Sequence, residues 1–243
     1  QLNTWTSLKV VQRSILKHPH KELGQKHLVN LLKYKKYFRK ALLKDKKLGN
    51  LFLKEIASKK PKVFLEIGVF QGVTARNVCE LLYSIHKENF RYIGIDLFSL
   101  NNSKTDPFTF EIIPGTKQNN FLKHIYFKYI LKNNPYSFEA VSHLLKKFKN
   151  QIDLIKGDSN KVLKTIDMLK VNYIFLDGGH SYETVKNDLN MSKEVIKNNG
   201  TILCDDYNLH YAPGVTKAID EFVEINNLKL EFLFNRFAKI ENY

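Results

Sequence analysis

From Val63 to Ile67 the chain is apolar at every position but Glu66; Gly68 and Gly72 follow, and Thr74 to Leu82 then takes up helical spacing. A short, nearly continuous apolar run is the pattern of a strand covered on both faces, as parallel sheets require. A strand that runs through a glycine turn into a helix leaves backbone N–H groups and bare main chain at its carboxyl end. Open α/β sheets bind their ligands at that edge. The stretch Val63–Ala75 therefore predicts a β-turn-α unit with a binding edge.

Four further runs repeat the pattern. Arg91–Asp96, Gln151–Asp158, Val171–Asp177 and Thr201–Asp206 are strand-length, largely apolar, and end on acidic residues. Helical stretches alternate with them: Ser159–Ile166 with a serine near its cap, the segment from Gly178 to Leu189, and Pro213–Glu224 with a proline near its start. Lys229–Phe234 and Phe237–Ile240, on either side of Asn235-Arg236, read as a terminal β-hairpin. Together these predict an α/β, Rossmann-like, doubly wound fold, with a mainly parallel seven-stranded sheet and an antiparallel C-terminal hairpin.

Two stretches stand outside this alternation. Residues 1–50 are Lys-rich and are expected to form a basic helical segment, with apolar positions at Ser14–Lys17 and His27–Leu32 and an aromatic-cation mixture over Tyr34–Leu43. They read as amphipathic helices with a solvated Lys face, the alternative being a lid or an arm for an anionic partner. The main domain then spans 51–243, entered through a helix over Lys47–Ala57. From Leu97 to Asn150 the connection is far longer than a βα turn requires. Asn101–Asn120 is polar and turn-rich, while Phe121–Leu131 and Ser137–Phe148 have helical spacing. The insertion 101–150 is read as a cap over the sheet edge, where substrate selectivity would reside, rather than as an ordinary crossover.

The formal net charge of +15 invites a nucleic-acid partner, but only five of the 39 basic residues are arginine. Readers of nucleic-acid sequence depend on bidentate arginine contacts, so the basicity is assigned more to compositional bias than to function. The clearest apolar runs, Tyr173–Leu176 and Ile202–Cys204, are too short to span a membrane. No charged segment followed by an apolar one opens the chain, so no secretory signal is read, and Gln1 suggests that an upstream segment was removed. Cys79 and Cys204 lack metal spacing and are expected as reduced core residues of a cytoplasmic protein.

The chemistry lies in the acids. Glu66, Asp96, Asp158, Asp177, Asp205 and Asp206 all fall at predicted strand ends. A single such carboxylate is explained as a helix cap. Six converging on one edge repel one another unless a cation neutralises them.

Glu66-Ile-Gly68-Val-Phe-Gln-Gly72 resembles motif I of class I S-adenosylmethionine-dependent methyltransferases. It has the E-x-G-x-x-x-G form of catechol-type O-methyltransferases and of the related macrocin and novobiocin O-methyltransferase group. Leu176-Asp-Gly-Gly-His-Ser-Tyr-Glu183 with Asp188-Leu189, then Asp205-Asp-Tyr207, Pro213-Gly-Val215 and Lys217-Ala218, resembles the second half of that group. The likeness covers roughly residues 50–240 and leaves the insertion and the N-terminal segment unassigned.

This resemblance implies S-adenosylmethionine as cofactor, its methionine part against Glu66, Gly68, Val69, Phe70 and Gly72. Asp96, followed by Leu97, would take the ribose hydroxyls, and Asp158 and Ser159 would flank the adenine, with Asp177 also at the cofactor. It further implies a divalent metal on Asp177, Asp205 and Asp206, and all-carboxylate ligation suits Mg²⁺ rather than zinc. Asp177 and His180 are the catalytic candidates, His180 as general base, although a histidine there could instead cap the following helix. His210 is a weaker base candidate, and Tyr207 lines either the acceptor pocket or the metal site. Catechol-type enzymes carry an amide where this chain has Asp206, so the acceptor is expected to be a hydroxyl on a sugar or another small molecule. A nicotinamide dinucleotide is disfavoured, because Phe70 stands where its fingerprint needs a second glycine. A nucleic-acid methyltransferase and a non-catalytic protein built on the same fold remain as alternatives, and the oligomeric state cannot be read from the residues.

Overall fold

The structure is a computed structural model, describing residues 33–41, 43, 45–98, 122, 129, 135–164 and 170–241. The chain divides into two units, 1–33 and 34–243, and all elements below belong to the second. The helical segments expected within residues 1–32, the turn-rich stretch 101–120 and nearly all of 121–131 lie outside the described residues.

The described elements run α1 (Lys46–Lys59), β1 (Val63–Ile67), α2 (Val73–His86), β2 (Arg91–Asp96), α3 (Phe138–Leu145), a 3₁₀ turn (Lys146–Phe148), β3 (Ile152–Lys156), α4 (Ser159–Val162), β4 (Val171–Leu176), α5 (Tyr182–Val195), β5 (Ile196–Cys204), α6 (Pro213–Asn226), β6 (Lys229–Leu233) and β7 (Phe237–Glu241). They form one seven-stranded sheet of order β3-β2-β1-β4-β5-β7-β6. β1 to β5 pair in parallel, while β7 runs antiparallel between β5 and β6. The expected seven-stranded, mainly parallel sheet with its antiparallel hairpin is the fold observed.

The central strands β1, β2 and β4 are buried along most of their length, as their apolar runs require. On one face Phe64 stacks between Tyr92 and Tyr173, with ring centroids 6.0 and 5.3 Å apart. On the other, Leu65, Ile67, Ile93, Ile174 and Ile202 share a core with Leu189 of α5 and Ile219 and Phe222 of α6. The inter-strand bonds continue one step past the strand ends: Gly68 N–H donates to Ile95 O, Asp177 N–H to Ile67 O and Asp205 N–H to Leu176 O, each at 2.9 Å. This brings the residues that follow β1, β4 and β5 together at one edge.

Three expectations are revised. The strand predicted from Thr201 opens earlier, at Ile196, and its pairing with β4 jumps between Val171–Ile196 and Tyr173–Thr201 to absorb the extra residues. Of the helix predicted over Ser159–Ile166, the described residues form a single turn, Ser159–Val162, while Thr165 and Ile166 lie outside the described residues. The helical reading of Tyr34–Leu43 fails for the residues described there, which run as extended and turn backbone with positive φ at Tyr37 and Phe38.

The reason lies in distant side chains that satisfy the backbone of this segment in place of a helical ladder. Tyr34 N–H donates to Asn50 Oδ1, Lys35 bonds Asn77 through both its N–H and its C=O, and Lys40 N–H donates to Gln71 Oε1. Buried Tyr34 lies against Gly49, where a Cβ would come within 2.4 Å of its ring. The segment is thus a strap laid over the β1–α2 turn and the start of α2.

Gly68 decides whether β1 can leave the sheet. Its φ is +93°, and a Cβ there would stand 2.0 Å from the carbonyl oxygen of Asp177, a backbone atom with no freedom to retreat. Gly68→Ala is therefore expected to cost about 2 kcal/mol or more, roughly a 4–8 °C fall in melting temperature at this size. Thermal unfolding of the full chain checks this; a midpoint equal to the parent's would mean that the turn has room the geometry does not allow.

Candidate active site at the carboxyl edge of the sheet

The acids Glu66 on β1 and Asp96 on β2 and those that follow β4 and β5 lie toward one edge of the sheet, and their charges are handled in different ways. Glu66, on the Phe64 face of β1, is fully buried. Its Oε2 accepts a 2.5 Å bond from the Tyr92 hydroxyl, while Oε1 has no partner. Burial pushes its carboxyl up to about 8, against the pull of the Tyr92 bond. Asp96 ends β2 and accepts from Phe70 N–H and Phe98 N–H, both at 2.8 Å, so one carboxylate ties the turn after β1 to the chain leaving β2. Burial raises its pKa, and those N–H groups oppose the rise.

Within the turn, Val69 is buried against Gly94, and Phe70 has a φ of +53° and an edge-on ring contact with Tyr136. Gly72 begins α2 at positive φ beneath Val141 of α3. The described end of the 101–150 insertion thus packs on the motif I turn, an arrangement that Arg39 reinforces. This buried guanidinium donates to Gln71 O, Pro135 O and Ala140 O, joining strap, turn and α3. Leu97 is exposed beyond β2.

Asp158 and Ser159 sit at the end of β3 but already have partners of their own. Asp158 caps α4 by accepting from Asn160 N–H, and the Ser159 hydroxyl bonds Asp188 of α5. Asp188 is buried, carries an oxygen without a partner, and is pushed up to about 6 chiefly by that burial.

Among the described residues Asp177, Asp205 and Asp206 form the closest group of acids, each offering an oxygen within 4.8 Å of the others. Burial and the two neighbouring carboxylates raise Asp177 well above the usual carboxylate range, and its Oδ2 has no partner. Arg236, from the β6–β7 hairpin, grips Asp205 with Nε to Oδ1 at 2.5 Å and Nη2 to Oδ2 at 2.7 Å, and reaches Asp206 Oδ1 at 2.7 Å. Burial lifts Asp205 to about 6 despite this fork. Asp206, at a φ of +57°, also meets His180 Nε2 at 2.5 Å and the Tyr211 hydroxyl at 2.7 Å. Although burial pushes Asp206 up, the bonds from His180 and Tyr211 and the charge of Arg236 hold it below the ordinary carboxylate range. A cavity of about 20 Å³, enough for a water-sized particle, is lined by Asp177, His180, Asp188, Asp205 and Asp206.

His180 does not cap α5. Ser181 does, accepting from Thr184 N–H, which leaves the imidazole against Asp206. Tyr207 turns away toward Asp220 and the Phe232 ring, and His210 is exposed beside Tyr211. Tyr92, Asp188, Tyr211 and Arg236 are the site residues to which the sequence reading gave no role. Asp188 stood within the resembling motif, and Arg236 carried a signal of its own: it is an arginine in a chain whose cations are nearly all lysine, at the end of a predicted hairpin turn.

An oxygen-only donor set suits a hard divalent cation. The three carboxylates, when ionised, outweigh the single guanidinium, and Asp177 Oδ2 is a buried oxygen awaiting a positive partner. The residues therefore fit such an ion. Glu66 Oε1 fits a hydrogen-bond donor from a cofactor in the same way.

The sequence from 65 to 207 matches the family model described as a methyltransferase domain. No curated protein matches the chain. Among solved structures, the O-methyltransferase NovP is 16% identical with a TM-score of 0.56, covering 81% of this chain and 78% of its own. CalS11, a TDP-rhamnose 3'-O-methyltransferase of calicheamicin biosynthesis, is 16% identical with a TM-score of 0.55 over 99% of this chain and 96% of its own. TomG from Streptomyces achromogenes, an O-methyltransferase of tomaymycin synthesis solved with S-adenosylmethionine, is 12% identical with a TM-score of 0.51, covering 97% and 94%. At these identities the likeness is one of fold.

One titration follows from the buried acid of β1. A folded pKa near 8 against an ordinary 4.5 means that the native chain keeps a proton on Glu66 which the unfolded chain releases. That stabilisation is complete below the unfolded value and is lost as pH climbs toward the folded one. Without cofactor, the parent should lose stability relative to Glu66→Gln by up to about 1.4 kcal/mol per pH unit between roughly pH 5 and 8. Denaturant unfolding of both proteins across that range measures it; a pH-independent gap would mean that Glu66 is already ionised at the acid end.

Proposed function

The chain belongs to this methyltransferase-domain family and is an S-adenosylmethionine-dependent methyltransferase, and from that premise we propose that it methylates a hydroxyl oxygen of a small molecule, a sugar being the favoured class, with a Mg²⁺ ion on Asp177, Asp205 and Asp206. The observation that carries this reading is the meeting of these three carboxylates with the His180–Asp206 pair in one small cavity. The likeness in fold to NovP, an O-methyltransferase, supports oxygen as the acceptor atom, and that to CalS11, a TDP-rhamnose 3'-O-methyltransferase, supports the sugar class.

S-adenosylmethionine supplies a methyl group on a positively charged sulfur, open to in-line attack by oxygen. We assign its methionine part to the turn Gly68, Val69, Phe70 and Gly72 and to the partnerless oxygen of Glu66. Asp96, at the end of β2, is assigned to the ribose hydroxyls, with Leu97 beside it. Asp158 and Ser159 are assigned to line the adenine end rather than to grip it, since Asn160 and Asp188 already engage their side chains. Asp177 faces both the cofactor and the acceptor.

The divalent ion, held by the three carboxylates, would supply a Lewis acid that lowers the acceptor hydroxyl's pKa. His180 is the base. With its Nε2–H on ionised Asp206, the basic nitrogen is Nδ1, the atom we assign to take the hydroxyl proton. Asp206 fixes that tautomer and steadies the imidazolium that results.

A second reading has its own observation. Arg236 already places a positive charge on Asp205 and Asp206, so the His180–Asp206 pair could act without a metal. Isothermal titration with S-adenosylmethionine, followed by methyl-transfer assays on a panel of sugars and phenols with and without chelator, separates the two. Binding, turnover lost on chelation and turnover restored by Mg²⁺ are expected. Turnover that survives chelation removes the metal and keeps the enzyme; absence of cofactor binding removes both. His180→Ala should lower turnover about 100- to 10,000-fold without weakening cofactor binding.

A further inference from the structure

The hairpin that delivers Arg236 is built against its own local preferences. Leu233 to Arg236 form a tight turn in which Arg236 N–H donates to Leu233 O, and both central residues, Phe234 and Asn235, lie at positive φ, 55° and 54°. Such a turn suits glycine and asparagine, and a bulky aromatic at its first central position is disfavoured. The strain is held in place from both sides. Phe234 makes an edge contact with buried Phe237, and Arg236 C=O accepts from Tyr207 N–H just after the acid pair. The side chain so aimed bridges Asp205, whose carboxylate is almost wholly buried, and Asp206.

We propose that Arg236 is the resident counter-charge of the acid cluster: it keeps Asp205 and Asp206 together when no metal is bound and, by occupying their oxygens, weakens the cluster's hold on a divalent cation. This rests on the metal-site reading above. A guanidinium cannot be deprotonated, and its fork matches two carboxylate oxygens at once, so unlike a proton it does not leave as pH rises. Asp177 is the member that Arg236 does not bond, and it is the one with an oxygen lacking any donor. The cluster thus has a permanently compensated half and an open half. A cation binding there is repelled by a fixed positive charge a few ångströms away, and its affinity is set below what three carboxylates alone would give. Arg236 is in this sense a positioning residue, acting on the site through Asp205 and Asp206.

The test uses the full chain, Mn²⁺ as the probe and its paramagnetic resonance signal as the readout of free ion, with melting temperatures taken in chelator and in Mn²⁺. Arg236→Gln should melt lower than the parent in chelator, because the Asp205 carboxylate is left buried without its partner. It should bind Mn²⁺ about tenfold or more tightly, and its melting temperature should rise more on adding Mn²⁺ than the parent's does. Arg236→Lys keeps the charge on a stem that can swing away, and should bind Mn²⁺ with an affinity between the two. If Arg236→Gln does not fold, Arg236→Lys decides the matter, and Mn²⁺ affinity no tighter than the parent's overturns the proposal. Parent binding that neither variant tightens sinks this inference alone. Mn²⁺ bound by none of the three proteins sinks the metal site and this inference with it.

Discussion

Carboxylates cannot be gathered at the buried edge of a sheet without something to carry their charge, and the site is organised around how each is answered. Glu66 is answered by a proton, since burial outweighs the Tyr92 bond. Asp96 is answered by two backbone N–H groups, Asp205 by the Arg236 fork, and Asp206 by an imidazole, a phenol and that same guanidinium. Asp177 has the least support, and burial beside two other acids drives it toward its neutral form. Different answers leave neighbouring groups of one chemical kind in different charge states, which is what acid-base work at a single edge requires.

The geometry that makes this possible is mostly backbone. The inter-strand bonds that run one residue past β4 and β5 fix where Asp177 and Asp205 emerge, and the one past β1 fixes Gly68. Gly68 is needed because Asp177 O passes within 2.0 Å of where its Cβ would be, and Gly72 because Val141 covers it. The glycines of the motif are thus explained by how closely the chain packs on itself before any ligand is considered. The strap over Tyr34–Ala41 then closes the arrangement from outside, with Arg39 joining strap, turn and α3 through three carbonyls.

Legibility in the sequence follows the range of the interactions. β1 and β2 could be read to their end residues, because burial on both faces leaves a nearly continuous apolar run. Asp96, Asp177 and Asp205 were legible for the same reason, each being the acid that closes such a run. β5 was read short, because Lys197-Asn198-Asn199 looks like a turn and only pairing with Val171 draws Ile196 into the sheet. The strap was misread as helix, because its backbone partners, Asn50, Gln71 and Asn77, are remote in sequence and leave no periodicity in the segment itself. Arg236 was legible as a turn residue but not as a site residue. Nothing local says that β7 returns beside β5 and so lays the hairpin's end over the acid pair. Sequence reasoning demanded a cation for the whole set of acids; the fold supplies Arg236 to Asp205 and Asp206 from the chain itself and answers Glu66 and Asp96 in other ways.

That resident cation bears on how the edge would discriminate among ligands. A pyrophosphate approaching the β1 turn would meet the ring of Phe70 and an edge rich in acids, while the Phe70 N–H is already given to Asp96. A ligand with a positive centre meets the opposite situation. The acids not matched by Arg236 favour it, and Glu66 and Asp177 each keep an oxygen without a donor. Under the proposed reaction the positive charge on the cofactor's sulfur disappears when the methyl group leaves. A positive centre beside Glu66 and Asp177 favours their ionised forms against the pull of burial, and once the charge is gone that gain is lost, so the neutral product is held less strongly while the contacts of the turn remain. An acidic edge with incomplete internal compensation is therefore suited to turnover as well as to binding, and complete neutralisation by a second arginine would sacrifice that difference.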